Sequence, residues 1–300
     1  MPFLGPLAAL GTSVLWSFTS TFFSLAGRRV GSMVVNRIRL VLAVIFLMLT
    51  HWVLLGAPLP TNATPERWFW LGLSGIIGLI IGDALLFQCF VWLGPRLSML
   101  LMSLVPVIGA ALAWLFLDET LSALQMVAVT MTLAGVSSVI LDRAGNNAAI
   151  VQGKRYGVGI MLGVGGAVGQ AVGLITAKQG LAHGFSVLSG TLMRMIVAMV
   201  VLWLLTIGSR QGQETVRRVW QDRRALWQLL AGAFVGPFLG VYLSLVAVQL
   251  APVGIASTLM SLPPVFLLPI SHFVFGERIG ARAIAGTLLA IAGVAMLMLV

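Results

Sequence analysis

Apolar residues run along this chain in stretches of roughly twenty or more, the length needed to cross a bilayer core as a helix. Breakers separate the stretches at Gly56-Ala57-Pro58-Leu59-Pro60, Gly94-Pro95, Asp118-Glu119 and the polar linker Asp142–Arg155. The pattern predicts helices over Leu4–Leu25, Ser32–Leu55, Trp68–Trp92, Leu97–Leu117, Leu121–Leu141, Tyr156–Leu181, Phe185–Ile207, Ala225–Leu250, Gly254–Phe275 and Ala281–Val300. No basic residue precedes the first stretch, and it is longer than a signal core, so it is expected to be retained. The expected fold is an all-α membrane protein of ten transmembrane helices.

Composition agrees. Of 300 residues, 59% are hydrophobic and only 9% charged, and the mean hydropathy is +1.06. A soluble chain carries about 25% charged residues, and so few charges could not cover a core of this size in water. Short loops leave no room for a soluble catalytic domain, so function is expected within the bilayer. One cysteine, Cys89, excludes an internal disulfide and a thiolate metal cluster.

The net charge of +10 does not point to nucleic acid, because the cations are scattered in short loops rather than gathered on one module. Loops that follow odd-numbered spans hold Arg28, Arg29, Arg96, Arg143, Lys154, Arg155, Arg210, Arg217, Arg218, Arg223, Arg224, Arg278 and Arg282, whereas the alternate loops hold little beyond Arg67. Positive charge marks the cytoplasmic side, so both termini are expected to face outward.

The second half repeats the first at an offset of about 158. Met102-Ser103-Leu104-Val105-Pro106 matches Met260-Ser261-Leu262-Pro263-Pro264, and Glu119 matches Glu277. Ala134-Gly135-Val136 matches Ala292-Gly293-Val294, and Ser74, Gly78 and Gly82 match Gly232, Gly236 and Gly240. Arg39 and Arg194 begin a fainter match. The predicted units are residues 1–145 and 146–300, each a five-helix repeat. An odd number of spans per unit inserts the two in opposite senses, and inverted repeats are the mark of alternating-access transporters.

These residues resemble the EamA-type proteins of the drug/metabolite transporter superfamily. The likeness rests on Leu15-Trp16, on Arg39 with its copy Arg194, on Gly94-Pro95, on the Gly/Asp-Glu pairs after spans four and nine, and on Gly135-Val136 and Gly293-Val294. It implies a central cavity lined by spans one, three, four, six, eight and nine, with spans five and ten peripheral. It implies export of amino acids, metabolites or drugs, and termini in the cytoplasm, against the loop charges.

Candidate solute contacts follow from polar residues at span depth. Ser13, Ser17, Ser20 and Ser24 share one face of span one beside Trp16. That face can line a cavity, or its hydroxyls can bond preceding carbonyls and neighbouring helices. Met99, Met102, Ser103 and Pro106 on span four mirror Ser257, Met260, Ser261 and Pro264 on span nine. A mid-span proline predicts a kink with a freed carbonyl and hence a gate. Methionine lines such a cavity adaptably. Gln170, Tyr242 and Gln88 are further candidates for solute contact or helix–helix hydrogen bonding.

Asp83 is the acid set deepest in a span. At that depth a charge faces a cavity or a cation. It can couple protons or meet a cationic solute group, or it can pair with Arg39, Arg194 or Lys178. The glycines at 165, 169 and 173, and at 232, 236 and 240, read as packing faces, and Glu119 and Glu277 as helix N-terminal caps.

The expected function is secondary transport of a small organic solute across the cytoplasmic (inner) membrane by a monomer or weak homodimer. A lipid flippase on the same fold is the alternative. An intramembrane enzyme is less expected, since His51, His183 and His272 are dispersed and form no metal-ligand cluster. No catalytic residue, metal or cofactor is expected, and no phosphate-binding loop is present.

Overall fold

The computed structural model describes residues 3–144, 154–266 and 280–299. Among them all regular structure is helical. The helices are α1 (Leu4–Val30), α2 (Ser32–Leu55), α3 (Pro65–Ser74), α4 (Asp83–Met102), α5 (Val105–Leu117), α6 (Ala123–Ala144) and α7 (Lys154–Gly180). They continue as α8 (Val187–Gly208), α9 (Gly212–Gln221), α10 (Arg223–Ala233), α11 (Val241–Leu250), α12 (Val253–Met260) and α13 (Ala281–Leu299). Two wider π-helical segments complete them: π1 (Gly75–Gly82) joins α3 to α4, and π2 (Phe234–Gly240) joins α10 to α11.

Five helical stretches are long and apolar enough to cross a membrane: Ser32–Leu55, Pro65–Cys89, Gly157–Gly180, Val187–Gly208 and Arg223–Leu250. Val105–Leu117, Ala123–Ser138, Val253–Phe266 and Ala281–Met296 are apolar but shorter. The outward surface carries contiguous apolar runs such as Trp52, Val53, Leu54 and Leu55, with Val53 80% exposed, and soluble proteins rarely expose large apolar patches.

Three details correct the sequence reading. The prolines do not kink a continuous helix. α4 ends at Met102, and Pro106 occupies the opening turn of α5, where a missing N–H costs nothing. The second half repeats the break: α12 ends at Met260 and helix resumes at Pro263-Pro264. Gly94-Pro95 falls inside the bounds of α4 rather than between two helices, although Pro95 has no N–H to donate. The chain nevertheless doubles back there. Ser98 Oγ donates to Cys89 Sγ at 3.0 Å, although residues nine apart lie about 13.5 Å apart along a straight helix. Finally, α9 is an extra helix in what reads as loop. Predicted residues Glu277, Arg278 and His272 lie outside the described residues.

Glycines set the packing. α7 runs antiparallel to α3–π1–α4, with Gly180 on Leu71, Gly173 on Gly78, Gly169 on Gly82 and Gly166 on Leu86. A Cβ on Gly169 would stand 2.8 Å from the Cα of Gly82, so only hydrogen fits. α1 runs antiparallel to α10–π2–α11 in the same way, with Phe23 on Gly232, Thr19 on Gly236 and Trp16 on Gly240. α6 crosses α13 where Gly135 meets the backbone of Gly286 and Ala290, and where Gly293 meets Thr132. Between these pairs, α2 and α8 bury Leu40, Ala43, Leu47, Leu192, Met195 and Ala198 completely.

Candidate functional site

The polar centre forms around π1. An α-helix pairs each carbonyl with the N–H four residues on, and a π-helix widens that turn and loosens the pattern. Here side chains from two neighbours take up carbonyls of the widened segment. Arg39 on α2 donates through Nη2 to Leu79 O at 3.1 Å, and Gln170 on α7 donates through Nε2 to Gly78 O at 3.2 Å. Both then converge on Asp83, the first residue of α4. Arg39 Nη2 pairs with its Oδ2, and Gln170 Nε2 donates to its Oδ1 at 2.6 Å.

Arg39 is further held by its Nε, which donates to Asn36 Oδ1 at 2.9 Å, and by the Phe87 ring, 5.2 Å from its guanidinium carbon. Burial is nearly complete, at 4% exposure for Arg39 and 7% for Asp83. Of the partners open to Asp83 in the sequence, the structure pairs it with Arg39.

Arg194 on α8 lies nearby in a slot that glycine opens. A Cβ on Gly78 would stand 2.8 Å from its Nη2, and one on Gly173 would stand 3.3 Å away. Arg194 is 2% exposed, and its buried Nε has no partner among the described residues. Two buried guanidiniums therefore share the field of one carboxylate.

The remaining predicted residues form a second group where α1 meets α12. Ser13 Oγ donates to Leu259 O at 2.6 Å, and Ser17 Oγ donates to Ser13 O at 2.8 Å and to Pro263 O at 3.3 Å. Ser20 bonds Ser17 O, Ser257 bonds Val253 O, and Ser261 bonds Thr258 O. These hydroxyls hold backbone, and those of Ser13 and Ser17 bind α1 to the broken span of α12. Trp16 is half-buried over Gly240, Met102 and Tyr242 are half-buried, and Ser103, Pro106 and Pro264 are buried. The side chain of Met99 lies outside the described residues.

Lys178 sits apart from both groups, at the end of the bundle where α1 begins. Its Nζ pairs with Glu119 Oε1 at 2.5 Å and donates to Ala251 O at 2.9 Å. Glu119 Oε2 accepts from Val253 N at 2.8 Å, so Glu119 caps α12 of the other half rather than the adjoining α6. Gln249 donates to Leu181 O and Phe185 O at the same end, and Gly5 of α1 touches Ala251. No group of three or more His, Cys, Asp or Glu residues suited to a metal occurs among the described residues.

Sequence reasoning missed Asn36, which stands three residues before Arg39 on one helical face, and it missed both π segments. Their signals are the short-period glycines of Gly75-Ile76-Ile77-Gly78-Leu79-Ile80-Ile81-Gly82 and the internal Pro237 of π2.

Residues 3–141 and 157–299 each match the profile described as the EamA-like transporter family. Twenty-eight solved chains match the fold. One of them, titled only as the crystal structure of a protein, aligns over 97% of this chain and 95% of its own with a TM-score of 0.78 and 16% identity. No curated protein matches.

Proposed function

Because the chain belongs to the EamA-like transporter family, we propose that it is a ten-span secondary transporter moving small organic solutes by alternating access. The solute is an amino acid, an amphipathic metabolite or a drug-like compound, and the protein works in the cytoplasmic membrane. Two five-helix repeats of opposite insertion make up the carrier.

The observation that carries this reading is the buried cluster of Asp83, Arg39 and Gln170 on a widened helix. A buried ion pair is weak support for a fold, whereas an ionisable residue at bilayer depth is by default functional. Protonating Asp83 removes the charge that holds Arg39 and lets its bond to Leu79 O exchange. A proton gradient or solute exchange then supplies the energy.

Ties at the α1-start end support an alternating cycle. At that end the two halves meet through Glu119, which pairs with Lys178 and accepts from Val253 N, and through apolar packing of Ala8, Ala9, Val105, Ala247 and Val253. Opening that end breaks the Lys178–Glu119 pair and separates small apolar side chains, which interlock little. Trp16, Met102 and Tyr242 offer partly uncovered apolar and polar surface to a solute. The cation bias of the loops supports outward-facing termini.

Asp83→Asn in proteoliposomes tests the coupling. Uptake driven by a pH gradient should be abolished while solute exchange persists. Unchanged proton dependence would remove Asp83 from the mechanism. Labelling single cysteines placed at each end, in intact cells, tests the orientation against little background, since Cys89 is buried.

A further inference from the structure

A second polar site lies at the opposite end of the bundle, where α1 turns into α2. Gly31 makes that turn with φ +95°, and α2 begins after it with no side-chain cap. The first backbone N–H groups of α2 thus remain free to meet an acceptor. α9 lies against this turn, and between them is a hollow of about 410 Å³, a size suited to a small ligand group.

Arg37 forms part of the wall at 7% exposure. Its Nη1 donates to Thr215 Oγ1 at 2.8 Å and its Nη2 to Gln211 Oε1 at 2.6 Å. Both acceptors are neutral. Its Nε is buried with no partner among the described residues. A guanidinium held this way still lacks a counter-charge. Glu214 also borders the hollow, but Arg217 holds it at 2.7 Å and Arg218 at 2.8 Å. The site therefore keeps an excess of positive charge.

The other wall is apolar, made by Val30, Met33 and Val34. Its depth is that of the lipid headgroups, because a long helix of the bundle begins there. α9 buries Thr215 and Val219 and leaves Arg217, Arg218 and Trp220 outward, with Trp220 73% exposed. An outward tryptophan beside arginines suits the membrane–water interface, where both residue types are enriched or attracted.

We propose that this hollow binds the phosphate-bearing headgroup of an anionic phospholipid. The phosphate sits against Arg37, Arg218 and the N-terminus of α2, with the glycerol and upper acyl carbons against Val30, Met33 and Val34. The bound lipid fastens α9 to the α1–α2 turn. The site is separate from Asp83 and independent of whichever solute the protein carries.

The test is thermal unfolding of the full-length protein in a neutral detergent, with dioctanoyl phosphatidylglycerol, dioctanoyl phosphatidylcholine or inorganic phosphate added. Phosphatidylglycerol should raise the unfolding temperature, and the other two should not. Met33→Glu should abolish the rise. Met33 is 42% exposed in the first turn of α2, where a carboxylate suits the helix, so this variant folds and repels the anion. Arg37→Gln should lose the rise as well, and if it fails to fold, Met33→Glu decides. Arg282→Gln, which removes an exposed cation from the first turn of α13, should keep the full rise. An equal rise with phosphatidylcholine, an equal rise with inorganic phosphate, or a folded Met33→Glu that keeps the response would each overturn the proposal.

Discussion

Segments π1 and π2 stand at matched places in the two halves, each interrupting a long helix and each packed through glycines on one antiparallel partner. Their surroundings differ. Around π1, Arg39 and Gln170 take up carbonyls and meet Asp83. In the second half Val241, 7% exposed, stands where Asp83 stands in the first. Phe46, Phe234 and Phe238 cluster beside π2 with ring centroids 5.3–5.8 Å apart. The widened backbone thus belongs to the architecture, since it needs no charge in the second half. The carboxylate belongs to one half alone, which is what a task beyond folding would require.

The largest expected effect comes from breaking that asymmetry directly. Arg39→Leu leaves Asp83 buried without its strongest partner and should cost about 3–5 kcal/mol, the usual penalty for splitting a buried pair. The double variant Arg39→Met with Asp83→Leu should recover most of the loss. Thermal unfolding in detergent reads both, and a double variant as unstable as the single would show that the pair does not set the stability of π1.

A middle-sized effect separates the two glycine faces. Gly236→Ala drives a Cβ to 2.4 Å from Thr19 Cγ2, and such overpacking costs about 1–3 kcal/mol. At the matched Gly78 the obstacle is the far end of the Arg194 side chain, which can swing. Gly78→Ala should therefore destabilise less while displacing Arg194, and equal losses would argue that Arg194 is as fixed as backbone.

The smallest effect concerns acids outside the spans. The Arg218 hydrogen bond holds Glu214 below the usual carboxylate range, and the Arg29 hydrogen bond does the same for Asp222. Carboxylates lowered in the folded state add stability above their ordinary pKa of about 4, and lose it as pH falls through the folded values. The unfolding temperature should be flat from neutrality down to that range and then drop. Asp222→Asn should flatten part of the drop, giving a surface standard for the response of Asp83.

Much of this was readable in the sequence, for reasons that particular residues make plain. Gly56 ends α2 in the left-handed region at φ +75° with its N–H on Trp52 O, as a glycine in a breaker cluster should. The paired Ser-Leu-x-Pro motifs marked matched discontinuities, but hydropathy does not distinguish a kink from a break. The π segments were hidden because a glycine–isoleucine run satisfies a hydropathy reading whatever the helix width. Asp83 could be seen to need a partner. Choosing Arg39 needed the third dimension, since the two lie far apart in the chain. α9 escaped because its inward face is only Thr215 and Val219 amid arginines. The serine stripe could line a cavity or bond backbone, and only the placement of α12 beside it showed Ser13 and Ser17 bonding its carbonyls.

The crossing of α6 and α13 has a consequence for biogenesis. The ribosome delivers α6 long before α13, so Gly135 and Thr132 must wait in lipid without the surface that later covers them. Until that late partner arrives the first half is an unfinished assembly, open to chaperones, proteases or a wrong neighbour. A bulky residue at Gly293 would leave the nascent chain permanently at that stage.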